Sequence, residues 1–361
     1  MGGALRVGVV GVGNISAQYF ETLPRLAGLE LVAVADLDTV RASEVARTHG
    51  VRDLTVDELL GSPDVDVVLN LTIPAAHVEV GLRALAAGKH VYAEKPFGLG
   101  TASARALLDA QVGGLRVGSA PDTVLGTGVQ TARRALDDGM IGEPVGAAVH
   151  WSSPGHESWH PSPGFYYQPG GGPLFDMGPY YLTSLVTLFG PVARVSGVAT
   201  RSPRPRVVAG GSQAGTVLPV DVDTHIAAIL EHASGVTSTV TMSFEVWATK
   251  SPLFEMYGTA GTLAMPDPNH FADTGSVWTR GRPDWIELEV SAGYRDAGRG
   301  VGLADMAAAI ANETPHRASA ELGFHVLEIM EAILVASADR RVVELESSVE
   351  RPEGVVLRDV P

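Results

Sequence analysis

The sequence predicts an α/β domain with a parallel sheet, followed by an α+β domain with an open, mostly antiparallel sheet. Three observations carry this. Up to about residue 122, short β-branched runs alternate with helical patterns, the signature of a parallel sheet covered on both faces. Beyond it, Pro and Gly become frequent and alternating apolar–polar segments replace the continuous apolar runs. The chain has 361 residues, too many for one ordinary core. The reading therefore divides it into domains 1–122 and 123–361.

In order, LRVGVV (Leu5 to Val10) reads as a buried strand and residues 14–27 as a helix. LVAVA (Leu31 to Ala35) is the next strand, followed by a helix over 39–48. DVVLNL (Asp66 to Leu71) and HVYA (His90 to Ala93) are further buried strands, with the helical AAHVEVGLRALAAG between them. A helix over 101–112 and a strand over 115–119 complete the set. In the second domain PVGAAVHW alternates, THIAAILEH and VTSTVTMSF flank a short Gly-containing turn as a hairpin, and EMYGTAGTLAM reads as another strand pair. The uncharged run Met177 to Ala193 carries Pro179, Gly190 and Pro191 and is short for a membrane span, so it reads as a buried helix. Helices near 300–312 and 319–338 should pack on the second sheet or on the first domain. Ser202 to Pro219 is a polar loop without a pattern.

Composition narrows the function. Hydrophobic residues at 45% and charged residues at 19% describe a packed globular chain. A formal charge of −15 argues against nucleic acid or an anionic membrane as partner. There is no cysteine, hence no disulfide framework, thiolate zinc site or cysteine nucleophile, which fits a reducing cytoplasm. The N-terminus lacks the pattern of a secretory signal.

GVVGVGNIS contains G-x-G-x-x-S at Gly11, Gly13 and Ser16, with Asn14 and Ile15 in the same turn. It follows a predicted strand and opens a helix, the context a dinucleotide fingerprint requires. Gly11 permits the tight turn, and Gly13 lets backbone approach a pyrophosphate lying against the helix N-terminus. Asp36 ends the second strand about 25 residues on, the offset of an acid that accepts hydrogen bonds from ribose hydroxyls. A carboxylate there repels a 2′-phosphate, and Arg41 is the nearest cation. NAD is therefore preferred over NADP. The competing reading of Asp36 is a helix cap.

AEKPFG (Ala93 to Gly98) immediately follows the strand HVYA. This places Glu94 and Lys95 at the carboxyl edge of the sheet, where open α/β folds bind ligands. A lysine there can donate to a substrate hydroxyl and lower the pKa of a neighbouring phenol or alcohol.

With GVVGVGNIS, NLTIPAAH (Asn70 to His77), AEKPFG and GGGPLFDMG in this order, the chain resembles the Gfo/Idh/MocA family of sugar and polyol oxidoreductases. The resemblance spans most of the chain and implies a Rossmann domain before the open-sheet domain. It implies that Lys95 contacts the reacting hydroxyl, that the bond before Pro96 is cis, that Thr72, Pro74 and His77 line the cofactor site, and that Glu94 neighbours cofactor or lysine. The family's second-domain motif is typically G-G-G-x-L-x-D-x-G-x-H. Here Gly170, Gly171, Gly172, Leu174, Asp176 and Gly178 match, and Tyr180 stands where His is commonest. The resemblance assigns Asp176 to the substrate hydroxyls and the proton to the last position. Some members carry tyrosine there.

If a helix starts at Pro173, Asp176 and Tyr180 are i and i+4 and share a face, although Pro179 would kink it, while Tyr181 turns away. Either Tyr180 or Lys95 then transfers the proton, and packing alone is the competing use of both tyrosines. Upstream, His156 to His160 read HESWH, which matches H-E-x-x-H. Pro154, Gly155, Pro161 and Pro163 frame it and oppose the helix a metal site of that type needs, so no metal is expected. The stretch reads instead as a loop beside the pocket. Trp159, Phe165, Tyr166 and Tyr167 would offer a sugar an apolar face, and His156 and His160 would bond its hydroxyls; aromatic loop packing competes.

The expectation is a homo-oligomeric (dimer or tetramer) cytoplasmic oxidoreductase. It moves a hydride between NAD and a secondary alcohol or ketone of a sugar, sugar derivative or cyclitol. The family also includes NAD-dependent glycosidases that oxidise transiently, and non-catalytic NAD-binding regulators.

Overall fold

The structure, a computed structural model, describes residues 3–361. Its elements are β1 (Leu5–Val10), α1 (Ser16–Thr22), β2 (Leu29–Ala35), α2 (Thr39–His49), β3 (Arg52–Asp53), α3 (Val56–Gly61), β4 (Val67–Asn70), α4 (His77–Ala86), β5 (His90–Ala93), α5 (Thr101–Asp109) and β6 (Val117–Ser119). Then come α6 (Thr127–Asp137), β7 (Pro144–Ser152), α7 (Gly172–Phe189), β8 (Val192–Thr200), β9 (Arg206–Val207), β10 (Val217–Leu218), β11 (His225–His232) and β12 (Thr237–Ser243). The chain ends with β13 (Phe254–Gly258), β14 (Gly261–Ala264), β15 (Ser276–Thr279), β16 (Ile286–Glu287), β17 (Tyr294–Arg295), α8 (Val301–Ala311), α9 (Ala320–Asp339), β18 (Val343–Glu344) and β19 (Arg358–Asp359).

The chain forms two compact units. Among the described residues the first comprises 3–127, Ala292–Phe324 and Val355–Pro361; the second Gly128–Ser291 and His325–Gly354. They differ from a single cut at 122, because two later segments fold with the first unit. The reason is burial: Leu303, Ala304 and Met306 of α8 join Val7, Val9, Val34, Val67, Leu69 and Tyr92 in one core cluster. Burying such side chains contributes about 1.5–3 kcal/mol each, so α8 goes where an apolar sheet face is open.

The first unit carries a six-stranded sheet in the order β3-β2-β1-β4-β5-β6, with every pair parallel. This is the Rossmann order. All four residues of β4 are buried, as a strand covered on both faces requires. The first helix stops at Thr22 and continues as a 3-10 turn over Leu23–Arg25, because Pro24 has no N–H to continue the α bonds.

The second unit carries a nine-stranded sheet, β16-β15-β14-β13-β7-β12-β11-β8-β18. The two expected hairpins are present as antiparallel β11–β12 and β13–β14. One pair, β12 with β7, is parallel; the crossover between them includes α7, which packs on β7, β11 and β12. Burial alternates along β11 and β12. One face is therefore covered, while the other exposes Val198, Ile229 and Tyr257. Residues 202–219, unpatterned in sequence, contain the short antiparallel pair β9–β10. No helix among the described residues is long and apolar enough to cross a membrane.

Candidate functional site

In the first unit β1, β2, β4 and β5 are parallel neighbours, so their carboxyl ends share one sheet edge. Gly11 to Ile15 follow β1, Asp36 follows β2, Thr72 to His77 follow β4, and Glu94 and Lys95 follow β5. Gly11 has φ +94°, and a Cβ there would meet the Leu71 and Thr72 backbone at 2.8 Å. At Gly13 a Cβ would have nothing within 4 Å, which leaves open backbone for a phosphate group. Ser16 Oγ donates to the Gly13 carbonyl at 2.7 Å, so serine closes this turn. Asn14 is exposed and Ile15 half-buried.

Asp36 Oδ2 accepts from Val12 N–H at 2.7 Å and Oδ1 from Asp38 N–H at 2.8 Å. Each carboxylate oxygen has a further lone pair, so both remain able to accept ribose hydroxyls. The cap of α2 is Asp38, which accepts from Arg41 N–H; Asp36 is not the cap. The Arg41 guanidinium pairs with Asp38 at 2.9 Å.

The loop after β4 is tied to the lysine turn. Asn70 Oδ1 accepts from Thr72 Oγ1 at 2.7 Å, and Asn70 Nδ2 donates to the His77 carbonyl at 3.0 Å. His77 is buried, with Nδ1 2.8 Å from the Pro96 carbonyl and Nε2 2.9 Å from the Thr72 carbonyl. Burial lowers its pKa, and a neutral ring donates to one carbonyl at a time. Its ring thus lies between the Pro96 and Thr72 carbonyls and bonds to one of them. Pro74 opens the intervening 3-10 turn. Glu94 is buried; it accepts from Tyr19 Oη at 2.8 Å and from Lys95 N–H at 2.9 Å. Burial, then Glu94, raises the Tyr19 pKa well above its ordinary value, so the phenol stays a donor. Lys95 is half-buried, and the Lys95–Pro96 bond is cis. This edge fits a dinucleotide: unobstructed backbone at Gly13, an acceptor at Asp36 and a cation beyond them.

In the second unit α7 begins where the glycines let two backbones touch. A Cβ at Gly171 would lie 2.6 Å from the Phe165 carbonyl and 2.7 Å from that of Tyr166. The helix runs through Pro179 to Phe189 without a break. Asp176 and Tyr180 are thus one turn apart on one face. Tyr180 is 5% exposed. Tyr181 is fully buried, donates to Asp267 at 3.2 Å and stacks on Phe254. Burial drives its pKa far up; it packs.

The HESWH stretch is a single 3-10 turn, His156–Ser158, inside a loop. It does not form the helix that H-E-x-x-H needs. His156 instead meets Asp176: its Nε2 lies 2.7 Å from Oδ2, with the side chains 8% and 12% exposed. Trp159 Nε1–H donates to His156 Nδ1 at 3.2 Å. His156, expected to bond substrate hydroxyls, thus has both ring nitrogens engaged within the loop and α7. His160 Nδ1 accepts from Ser162 N–H at 3.0 Å, and burial, then His156, lowers its pKa. Trp159 and Phe165 are 63% and 53% exposed and leave ring surface to solvent.

Sequence reasoning missed the charges beneath this loop. Arg206 is 1% exposed and pairs with Glu157 at 3.1 Å and with Glu245; Tyr167 Oη donates to Glu157. Arg204 lies within 3.6 Å of Glu157 and 3.5 Å of Glu245. The available signal was an arginine pair, SPRPR, in a segment otherwise poor in charge.

Residues 5–113 match the oxidoreductase family with an NAD-binding Rossmann fold, and residues 129–264 match the Gfo/Idh/MocA C-terminal domain. The chain is 35% identical to inositol 2-dehydrogenase 3 of Saccharopolyspora erythraea over 168 residues, 43% of this chain and 48% of that protein. It thus spans about half the length of that relative. It is 30% identical over 270 residues to bovine trans-1,2-dihydrobenzene-1,2-diol dehydrogenase, 73% of this chain and 75% of the other. Levoglucosan dehydrogenase in complex with NADH and L-sorbose superposes with TM-score 0.81 at 21% identity, over 95% of this chain and 99% of that one. At that identity the likeness speaks for the fold.

Proposed function

The chain belongs to the Gfo/Idh/MocA family of oxidoreductases with an NAD-binding Rossmann fold, and from that premise we propose that it transfers a hydride between NAD and a secondary alcohol or ketone of a sugar, sugar derivative or cyclitol. The observation that carries the reading is the sheet edge where the open Gly13 turn, Asp36 and Lys95 follow β1, β2 and β5 of one parallel sheet. When bound, the nicotinamide accepts or returns the hydride.

Gly11 and Gly13 hold the dinucleotide's phosphates close to backbone, with Asn14 and Ile15 in the same turn and Thr72 and Pro74 beside it. Asp36 accepts the ribose hydroxyls. Its charge, with the Arg41 guanidinium engaged by Asp38, favours NAD over NADP. Lys95 donates to the reacting oxygen and stabilises negative charge there. Asp176 accepts a substrate hydroxyl and orients it. The Tyr180 phenol exchanges the proton. His160 and the exposed Trp159 ring meet the remainder of the substrate. The names of the relatives, an inositol 2-dehydrogenase and a trans-1,2-dihydrobenzene-1,2-diol dehydrogenase, support a polyol. The apolar residues on the open sheet face support a homo-oligomer, and the absence of cysteine supports a reducing cytoplasm.

The test is a screen of cyclitols, aldoses and cyclic diols with NAD and NADP, followed by NADH absorbance. Turnover of at least one polyol with NAD is expected. Substrate cleavage without net NADH would move the protein to the transiently oxidising class. Inertness toward every polyol, with tight NAD binding, would move it to the regulators.

A further inference from the structure

Two residues flank His156, and both are pinned. Gly155 has φ +108°, and a Cβ there would fall on the Glu157 carboxylate and 2.7 Å from the Tyr167 hydroxyl. Glu157 is buried under Arg206 and Tyr167. Arg206 also donates to the Pro154 and Phe244 carbonyls, each at 3.1 Å. The imidazole is packed by Tyr166, Phe244, Trp159 and Trp151, with ring centroids 4.3, 4.7, 5.2 and 6.1 Å away.

Its protonation state follows from its neighbours. An indole N–H only donates, so His156 Nδ1 carries the lone pair, and the ring proton sits on Nε2. That N–H points at Asp176 Oδ2, 2.7 Å away. The donor-only indole and the acceptor carboxylate therefore select one tautomer and one ring orientation. Apolar packing needs no such pair. Burying two polar side chains is costly unless their bonds are made, and here they are made in one arrangement.

We infer that His156 is a positioning residue: its Nε2–H holds Asp176 by Oδ2 and sets the direction in which that carboxylate meets the substrate. The buried Arg206–Glu157 pair and the Gly155 turn hold the imidazole in register. This rests on the proposed role of Asp176 toward the substrate hydroxyls. It gives His156 a task other than contact with substrate: the ring acts on the reaction through the carboxylate of α7.

Three variants test it: His156→Leu, His156→Gln and His156→Asn. The Gln amide nitrogen reaches the place of Nε2; Leu has no donor, and Asn is too short. His156→Leu should lose roughly a hundredfold in kcat, the scale of a misoriented reacting group. Its NADH dissociation constant should stay close to wild type, while its melting temperature should fall, because the bonds to Asp176 and Trp159 are lost. His156→Gln should return to within about tenfold of wild type, and above His156→Asn. A Leu variant within about threefold of wild type overturns the proposal, as does a Gln variant no better than Asn. The Gln–Asn comparison decides if the Leu variant does not fold. Wild-type protein inert toward every polyol overturns the oxidoreductase reading and this role with it. An active wild type with an unimpaired Leu variant overturns this role alone.

Discussion

Arg206 and Glu157 form a buried ion pair at 3.1 Å, 1% and 8% exposed, beneath the loop that carries His156. Breaking such a pair costs about 3–5 kcal/mol, and here Arg204, 3.6 Å from Glu157 and 3.5 Å from Glu245, offsets only part of the charge left behind. Arg206→Met should therefore lower the urea midpoint sharply. Arg194→Ala breaks a pair with Glu231 whose side chains are 50% and 41% exposed, and should change stability by less than about 1 kcal/mol. Equal midpoint shifts for the two variants would show that the buried pair is no anchor.

Gly11 and Gly13 should fail differently when changed to alanine. Gly11→Ala puts a Cβ against backbone at a φ of +94°, a strain of about 1–3 kcal/mol. It should lower the melting temperature. Gly13→Ala meets no protein atom, so it should melt like wild type yet bind NADH about tenfold or more weakly, because a methyl group occupies the phosphate approach. Unchanged NADH affinity in Gly13→Ala, by fluorescence titration, would remove the glycine turn from the cofactor site.

Lys95→Ala should cut turnover by about a hundredfold or more while the NADH dissociation constant stays nearly constant, since the amine is assigned to the reacting oxygen. Tyr180→Phe keeps the buried ring and removes the hydroxyl. Its pH–rate profile should lose the ionisation that governs proton transfer. A profile superimposable on wild type excludes Tyr180 as the proton carrier.

His325 makes stability depend on pH. Its Nε2 accepts from Val192 N–H at 3.0 Å and Nδ1 is 2.8 Å from Ser347 Oγ. Burial pushes its pKa down to about 4, against about 6.5 in the unfolded chain. Between these values the unfolded chain binds the extra proton. The contribution is complete above pH ~6.5 and is lost as pH falls through ~4, a loss of about 3 kcal/mol. Burial lowers His77, His232 and His316 in the same direction. Urea midpoints measured from neutral pH down to pH ~4 should fall steadily, and His325→Leu should flatten part of that slope. A midpoint insensitive to acid over this range would contradict the buried neutral imidazole.

Most of the framework is legible in the sequence. Continuous β-branched runs followed by helical periods identify a parallel sheet, because only strands covered on both faces are apolar throughout. The G-x-G turn, Asp36 and AEKPFG were found because each directly follows a strand, and a parallel sheet brings all strand ends to one edge. The same locality made the Asp176–Tyr180 spacing readable along one helix. Two things were not readable. Residues 292–324 and 355–361 pack with the first unit because α8 fits an apolar face there, and linear order carries no record of which face is open. A partner of Asp176 was also hidden. His156 lies 20 residues away across a Pro- and Gly-rich loop, where no period relates one side chain to another. Glu157, next to it in the loop, pairs with Arg206, still further along the chain. Local periodicity thus determined the elements and the residues at their ends. Which buried polar group answers which was decided only by the packing of the loop on α7.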